Sequence, residues 1–323
     1  MKKLSKKKII LDVDTGIDDS LAIAYTLANP NADLIGVTSE YGNVDVKLAA
    51  KNSLKILELL NHPEIPVFIG ESHSSTTNNF TVLPTSQHIH GVNGIGGIKL
   101  PEPKRQPEEI SAAAFMVNAA HQYGKDLTIV PTGPMTNLAL ALKMEPKLEH
   151  MINVTFMGGA LTVPGNINPV AEANIYQDPE AANKVFHSRL PLTMIGLDVT
   201  HRAVLTHEDT AVWRLIGTPA ATNFADMLDY YIDIYLEGQP FVQGCALHDP
   251  LAAAAAIDPS FIQTIDLDLK VDLEEPYRAR TIGDENRIHN KPHTKVAVNL
   301  DVPYFIGIFM KYLGNLFKET KEN

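Results

Sequence analysis

Ile10-Leu11-Asp12-Val13-Asp14-Thr15-Gly16-Ile17-Asp18-Asp19 is the stretch that decides both the fold class and the chemistry of this chain. The apolar residues around Asp12 predict a buried strand, Gly16 permits a tight turn, and Asp18 and Asp19 open a helix. Asp12 and Asp14 are two positions apart, so they face the same side of an extended strand. Carboxylates crowded together raise one another's pKa, and a bound cation is the simplest remedy. Oxygen ligands alone favour Ca²⁺ or Mg²⁺.

A structural role explains only part of this acidic group. Either Asp18 or Asp19 alone would be typical of a helix N-terminus, where the helix dipole and capping favour a carboxylate. Asp12 and Asp14 at the end of a buried strand have no such explanation, because unpaired buried carboxylates are costly. An EF-hand is a poor match, since its closing Glu and preceding helix are absent.

Strand-like and helix-like segments alternate through the first 200 residues. The predicted strands are 8–13, 33–39, 67–69, 127–130, 154–157 and 192–195, and the predicted helices are 18–28, 44–60, 108–123 and 134–142. This alternation predicts an α/β fold with a mostly parallel, open, Rossmann-like sheet and helices on both faces. In such sheets ligands bind at the carboxyl ends of the strands, so we expect the active site there.

The last third of the chain has a different pattern. Helical periodicity covers 209–236, the Ala-rich segment 247–257 and a final segment near 302–317, with strand-like runs at 261–271, 279–282 and 294–298. We find no repeat, low-complexity tract or clear linker. A single domain over residues 1–323 is therefore expected.

Composition excludes several classes of function. The 323 residues carry a net charge of −11, which gives no electrostatic support for binding nucleic acid or an anionic membrane. Cys245 is the only cysteine, so neither an intrachain disulfide nor a Cys-based zinc site is possible, and we expect it to fill space. The basic N-terminus is followed by an apolar run too short for a secretory signal, and no apolar stretch is long enough to span a membrane. A soluble, cytoplasmic protein is expected.

Further polar clusters follow the later strands. They are Tyr41-Gly42-Asn43, the segments 131–137 and 165–174, Asp178-Pro179-Glu180-Ala181 and His248-Asp249-Pro250. The first loop alone fits two families: Asp12, Asp14 and Thr15 match the haloacid-dehalogenase-like phosphatases, while the full loop matches the nucleoside hydrolases. With the later clusters, nearly the whole chain resembles the inosine-uridine-preferring nucleoside hydrolases. The departures are Thr15, where the family usually has Pro, and the charged Glu40 before Tyr41.

The resemblance implies hydrolysis of the N-ribosidic bond of ribonucleosides by a calcium-bound water. It implies that Asp14 activates this water and that His248 assists the departing base. It assigns the calcium to Asp14, Asp19, Asp249 and the backbone carbonyl of Thr132. It places near the substrate Asp18, Asn43, Asn166, Glu172, Asn174, Asp249 and His90. It also implies a homodimer or homotetramer.

These residue types suit the chemistry. Cleavage of an N-ribosidic bond leaves positive charge on the ribose ring, which surrounding carboxylates favour. Calcium binds sugar hydroxyls and lowers the pKa of a water, and Asp14 then takes the proton. The departing base needs a proton or hydrogen bonds, and imidazole titrates near neutral pH, which suggests His248. Ordinary loop roles remain open for Asn166, Asn174 and His90.

Two other readings remain open at this stage. A Mg²⁺-dependent phosphatase would need a late acidic pair, for which Gly283-Asp284-Glu285-Asn286 is a faint match. A nucleoside-binding protein without activity would bind ribonucleosides and release no base. The choice between purine and pyrimidine depends on the loop 76–97 and on the aromatic helix that carries Tyr230, Tyr231 and Tyr235, of which we expect Tyr235 to contact the base.

Overall fold

Strand β1, which ends at the acidic loop, lies inside an eight-stranded sheet. In this computed structural model, which describes residues 6–238 and 242–320, the main sheet consists of β1 (Lys7–Val13), β2 (Ala32–Ser39), β3 (Val67–Ile69), β4 (Leu127–Pro131), β5 (Asn153–Met157), β6 (Leu192–Ile195), β9 (Ile262–Asp266) and β12 (Thr294–Leu300). The strand order is β3-β2-β1-β4-β5-β6-β12-β9, and all neighbours are parallel except β9, which is antiparallel to β12. The prediction of a mostly parallel, open sheet is confirmed.

Two short sheets lie outside the main one. They pair β7 (Val204–Leu205) with β8 (Cys245–Ala246) and β10 (Leu269–Val271) with β11 (Thr281–Gly283).

The helices are α1 (Ile17–Ala28), α2 (Val46–Leu59), α3 (Pro84–His90), α4 (Ala112–Tyr123), α5 (Thr136–Met144), α6 (Ala173–Gln177), α7 (Pro179–Phe186), α8 (Leu197–Thr200), α9 (His207–Arg214), α10 (Pro219–Gly238), α11 (His248–Ile257) and α12 (Val302–Glu319). Within the described ranges, no helix has the length and apolar character needed to cross a membrane.

The sheet separates two hydrophobic cores. Along β1, Ile9, Leu11 and Val13 pack into one core while Ile10 packs into the other, because successive strand residues point to opposite faces. The first core contains the buried faces of α1, α2, α10, α11 and α12, and the second contains those of α4, α5 and α7. Helices therefore cover both faces, as predicted.

Element boundaries differ from the prediction where local chemistry interrupts a periodic pattern. The predicted helix 209–236 is two helices, since Gly217 adopts a φ of +76° after α9 and Pro219 then begins α10. The predicted strand 261–271 is also two elements, because the chain leaves the main sheet after Asp266 and pairs with β11 instead. The predicted helix 108–123 begins only at Ala112, where the Ser111 side chain accepts a hydrogen bond from the amide of Ala114.

Several short elements were not predicted. They include α3, within the segment treated as a loop, and α6, α7 and α8, each of eight residues or fewer. α3 begins with Pro84 and ends with His90, and Gly91 follows it. Such short helices lack the periodic signal that identifies longer ones.

Phe305→Ala should destabilise the fold strongly, because this ring is fully buried and packs against Phe261 and Phe309. Loss of a buried aromatic side chain costs about 3–5 kcal/mol of unfolding free energy. The neighbouring Tyr304 is 46% exposed, so Tyr304→Ala should cost less than about 1 kcal/mol. Urea denaturation of both variants checks this difference. Equal losses would show that the α12 packing does not contribute as described.

Candidate active site

A cavity of about 520 Å³ lies at the carboxyl ends of the parallel strands. It is bordered by the loops after β1, β2, β4 and β5, by the start of α11, and by parts of α3 and α10. The predicted site residues that line it are Asp18, Asn43, His90, Thr132, Asn166, Glu172, Asn174, Tyr235, His248 and Asp249. Asp14 and Asp19 do not line it and are fully buried beside it. The sheet thus brings together residues that are up to 235 positions apart.

Three carboxylates converge at this cavity. Asp18, Asp19 and Asp249 each offer an oxygen atom, and these atoms lie within 4.8 Å of one another. All three side chains are buried, and Oδ1 of Asp18 has no hydrogen-bond partner among the described residues. This is the geometry of a site for a divalent cation with oxygen ligands. Asp14 was expected in this group, but the close triplet contains Asp18 instead.

Asp14 lies against the backbone of two neighbouring loops. Its Oδ2 accepts a hydrogen bond from the amide of Asn43 at 2.6 Å, whereas its Oδ1 is buried with no partner among residues 6–238 and 242–320. A Cβ atom at Gly42 would lie 1.9 Å from the Asp14 carboxylate, so only glycine allows this close approach. The chain therefore holds Asp14 tightly and leaves one of its oxygens free for a ligand.

Asp19 and Thr132 connect the first loop to the loop after β4. Oδ1 of Asp19 accepts a hydrogen bond from the Thr132 hydroxyl at 2.7 Å, and Oδ2 accepts one from the amide of Gly16 at 2.8 Å. The side-chain amide of Asn43 adds a longer contact of 3.4 Å to Oδ2. The backbone carbonyl of Thr132 accepts the side-chain amide of Asn174 at 2.7 Å, and its second lone pair stays free for a cation.

The crowding of these acids raises their pKa values. Burial raises the pKa of Asp18 and of Asp19 to about 6. Burial, followed by the neighbouring charge of Asp19, raises the pKa of Asp14 well above its usual range. Burial and the charge of Asp18 do the same for Asp249. Four ionised carboxylates are therefore strongly disfavoured here without a cation, and the site fits one.

A second acidic pair lies behind the first loop. Oδ1 of Asp12 accepts hydrogen bonds from Thr38 at 2.7 Å and from the side-chain amide of Asn137 at 2.9 Å. The Glu40 carboxyl accepts the backbone amide of Asn137 at 2.9 Å. Burial raises the pKa of Asp12 to about 7, and burial with the charge of Asp12 raises the pKa of Glu40 well above its usual range. The second oxygen of each carboxyl, Oδ2 of Asp12 and Oε2 of Glu40, is buried without a hydrogen-bond partner among the described residues, so burial favours the uncharged form of both groups.

The residues expected to hold the ribose lie on the β5 side of the cavity. Glu172 accepts hydrogen bonds from the backbone amides of Gly159, Asn174 and Ile175 at 2.8–3.1 Å, and caps the N-terminus of α6. Asn174 is buried and bridges the β4 and β5 loops through its side-chain amide. Asn166 is exposed, and its side-chain oxygen accepts the amide of Ala173 at 2.9 Å. All three line the cavity, but each also stabilises the loops that carry it.

His248 belongs to a chain of hydrogen bonds on the opposite side. Its Nε2 lies 2.7 Å from the Tyr235 hydroxyl, and its Nδ1 lies 2.8 Å from the Thr200 hydroxyl. The Tyr231 hydroxyl lies 3.4 Å from that of Tyr235 and donates to Asp18 over the same distance. Burial, with the charge of His201, lowers the pKa of His248 to about 3. The imidazole is therefore neutral at physiological pH, contrary to the expectation that it titrates near neutrality.

Helix α3 places His90 over the first loop. Its Nδ1 accepts a hydrogen bond from the amide of Ile17 at 3.2 Å and lies 3.9 Å from Asp18. Burial lowers the pKa of His90 to about 4. α3 is also joined to α10, because the Tyr230 hydroxyl donates to the carbonyl of His88 at 2.8 Å. His90 therefore contacts the acidic loop directly.

Three further residues of this site were absent from the sequence-based set. Asn137 links Asp12 to the backbone of β2, Tyr231 contacts Asp18, and Thr200 holds the imidazole of His248. Thr200 follows β6, so the rule that polar residues after strands form the site was sufficient to suggest it. Tyr231 had no comparable signal, because its neighbours on α10 are equally aromatic.

Asp284 and Glu285, the late acidic pair that a phosphatase would require, form contacts outside the cavity. Asp284 accepts a hydrogen bond from Arg287 at 2.6 Å, and Glu285 forms an ion pair with Lys270 at 2.7 Å. Neither side chain lines the cavity. The geometry therefore does not favour the phosphatase reading.

Proteins named as nucleosidases or ribonucleoside hydrolases match this chain over almost their whole length. A solved structure of a purine-preferring ribonucleoside hydrolase from Gardnerella vaginalis is 49% identical, with a TM-score of 0.96, and the alignment covers 97% of this chain and 100% of that one. The pyrimidine-specific ribonucleoside hydrolase RihA of Escherichia coli O1:K1 is 37% identical, with 93% of this chain and 96% of the relative covered. A probable uridine nucleosidase 2 from Arabidopsis thaliana is 36% identical, covering 95% of this chain and 98% of the relative.

Family membership follows from these matches and from the residues at the cavity. The model of the family described as inosine-uridine preferring nucleoside hydrolase matches residues 9–307, which include the first acidic loop and the start of α11. The acidic cluster, the Asn and Glu residues after β5 and the His248 segment all lie within that match. The chain therefore belongs to the inosine-uridine preferring nucleoside hydrolase family and is an N-ribosyl hydrolase.

Proposed function

We propose that this chain hydrolyses the N-ribosidic bond of ribonucleosides with a calcium ion at the acidic cluster and Asp14 as the base that activates water. The observation that carries the proposal is the convergence of Asp18, Asp19 and Asp249 within 4.8 Å beside the free, buried oxygen of Asp14. Such a set contains oxygen ligands only, which suits a hard cation. Calcium, when bound, would hold the ribose diol and lower the pKa of a water molecule.

The roles of the chain's own residues follow from their positions. Asp19 and Asp249 of the close triplet would hold the cation together with the unpartnered oxygen of Asp14 and the carbonyl of Thr132, which leaves Asp18 for the substrate. Asp14 has one oxygen fixed by Asn43 and one free, so it is suited to accept a proton from water as that water attacks C1′. Asp18 faces the cavity next to this group and would bind a ribose hydroxyl and stabilise positive charge on the ring.

The sugar is oriented from the β5 side in this proposal. Hydrogen bonds with the backbone hold the side chains of Asn174 and Glu172 in place. Their polar atoms that are not used in these bonds would therefore contact the ribose in a fixed orientation. Asn166 is exposed and lines the cavity, and its side chain would contact a ribose hydroxyl. Asn43 contacts Asp14 and Asp19 at once, so it would orient the cation ligands more than the substrate.

Departure of the base would be assisted by the Tyr235–His248 pair. The Tyr235 hydroxyl, held by the neutral imidazole of His248, would donate a hydrogen bond to the departing base and stabilise the negative charge that develops on it, and the released base would take its proton from solvent. Thr200 fixes the ring orientation, and Tyr231 connects the pair to Asp18. Tyr235 and His90 both line the cavity and would contact the nucleobase.

We also propose that purine nucleosides are the preferred substrates. The relative titled purine-preferring is 49% identical, compared with 37% for the pyrimidine-specific one. The cavity of about 520 Å³ is large enough for a bicyclic base.

Assembly and location remain predictions. The expected homodimer or homotetramer can be measured as a solution mass by light scattering. Cytoplasmic location can be tested by fractionation of the source cells. A monomer, or enzyme recovered outside the cytoplasm, would contradict these expectations without affecting the proposed chemistry.

Base release from inosine, adenosine, uridine and cytidine tests the function directly. We expect release from all active substrates to fall to background after treatment with a calcium chelator and to return with added Ca²⁺, because the acidic cluster then regains its cation. We expect inosine or adenosine to have the highest kcat/KM. Chelator-resistant turnover would refute the role of the cation, and higher values for uridine and cytidine would refute the purine preference.

Asp14→Asn should lower kcat by at least ~10²-fold, because the amide cannot accept the proton from water. The variant should be measured across a calcium titration, so that weaker cation binding is separated from the loss of chemistry. Asp33→Asn is the control, since Asp33 is ion-paired with Lys8 at the start of β2, away from the cavity. Near-normal kcat in Asp14→Asn at saturating calcium would rule out Asp14 as the base.

Tyr235→Phe and His248→Gln should lower kcat for inosine by roughly 10²-fold or more, the usual effect of removing a hydrogen bond to negative charge that develops in the transition state. The loss should largely vanish with a ribosyl substrate whose leaving group is a weak base, such as nitrophenolate, because that group departs without a hydrogen bond. Equal losses on both substrates would indicate a structural role. Unchanged turnover of every nucleoside would show that neither residue assists departure.

A further inference from the structure

A second cavity lies at the opposite end of the main sheet. It has a volume of about 370 Å³ and is formed by the first residues of β4, β5, β6 and β12 together with the end of α11. Ala255 and Ala256 close one side of it, and their small side chains leave the strand ends uncovered. The active site needs none of these residues.

A row of polar side chains crosses the sheet at this cavity. Thr155 on β5 pairs with Thr193 on β6, which in turn pairs with Lys295 on β12. Neighbouring strands are ~4.8 Å apart, so these three groups form a line along one face of the sheet. Thr128 on β4 lies on the same face. Among the residues that the structure describes, the hydroxyls of Thr128, Thr155 and Thr193 make no hydrogen bond, and all three residues line the cavity.

Positive charge is concentrated around this row. Lys6, Lys7, Lys125 and Lys295 line the cavity, with Asp126 as the one carboxylate in its described lining. None of the four lysines forms an ion pair with a described residue. The charge of Asp258 favours the protonated form of Lys7, but the two side chains form no ion pair. The Lys7 ammonium donates a hydrogen bond to the carbonyl of Ala256 at 3.0 Å. The whole chain has a net charge of −11, whereas the surface around this cavity is positively charged.

We propose that this cavity binds a small phosphate monoester of about the size of a pentose phosphate. The lysine ammonium groups would pair with the phosphate, and the threonine hydroxyls would bind the polar remainder of the molecule. A concave site of this volume excludes a duplex or a membrane surface, and the acidic remainder of the chain repels such polyanions. The volume also exceeds the needs of a bare phosphate ion.

The second cavity is separate from the active site. Helix α11 begins at the acidic cluster with His248 and Asp249 and ends at the second cavity with Ala255 and Ala256. At 1.5 Å per residue, roughly 10 Å of helix lies between Asp249 and Ala256. A ligand can therefore occupy one site while the other is empty, and the two can be tested independently.

Calorimetric titration of the intact enzyme with ribose 5-phosphate tests the proposal. We expect saturable binding in the wild type and in Asp249→Asn, which alters only the active site. In Lys295→Gln the dissociation constant should rise by roughly tenfold, as for loss of a charged hydrogen bond, and in the double variant with Lys7→Gln by more. Lys47→Gln, which changes an exposed lysine in the first turn of α2 at the opposite end of the sheet, should bind like the wild type.

Other ligands and variants separate the possible outcomes. Thr193→Val keeps the shape of the side chain, so a weaker affinity for ribose 5-phosphate would assign a role to the hydroxyl row. Neutral ribose should not bind at this site, and inorganic phosphate should bind more weakly than the ester. The proposal is overturned if no ligand binds at millimolar concentration, if Lys295→Gln binds like the wild type, or if binding disappears in Asp249→Asn.

Discussion

Mutual repulsion among four buried carboxylates is the constraint on which the properties of the candidate active site depend. Asp14, Asp18, Asp19 and Asp249 are withdrawn from water and placed where their charges oppose one another, and burial raises the pKa of each. Isolated side chains would move apart under such repulsion. Here the parallel strands end at one edge of the sheet and the loops are packed closely, so the carboxylates cannot separate. The strain is relieved by a cation or by protons, and this is what makes the cluster chemically useful.

The surrounding residues serve mainly to hold that arrangement. Asn137 reaches Asp12 and the backbone of β2 and accepts the amide of Glu71, which joins three loops behind the cluster. Asp12 and Glu40 lie in the same layer, where burial raises the pKa of both carboxyls and so opposes further negative charge behind the cluster. On the other side, Tyr231 links Asp18 to the His248 group. The acidic cluster and His248, on opposite sides of the cavity, are thus joined by hydrogen bonds.

Much of this arrangement follows from sequence. The alternating pattern predicts the sheet, and polar residues after strands predict which loops meet, because all parallel strands end at one edge. Single-domain organisation remains a prediction. What sequence does not show is how side chains meet across elements. The neutral state of His248 depends on burial contributed by distant residues, the role of Tyr231 depends on how α10 lies over α1, and the break at Gly217 depends on backbone conformation within a helical pattern.

The position of Asp249 in the chain has a consequence for biosynthesis. Asp14, Asp18 and Asp19 leave the ribosome early, and their strand can pair with β2 and β4 while synthesis continues. The fourth carboxylate arrives on α11, which packs against α1, only after about three quarters of the polypeptide has been made. A nascent or truncated chain that stops before residue 249 therefore carries an incomplete ion site.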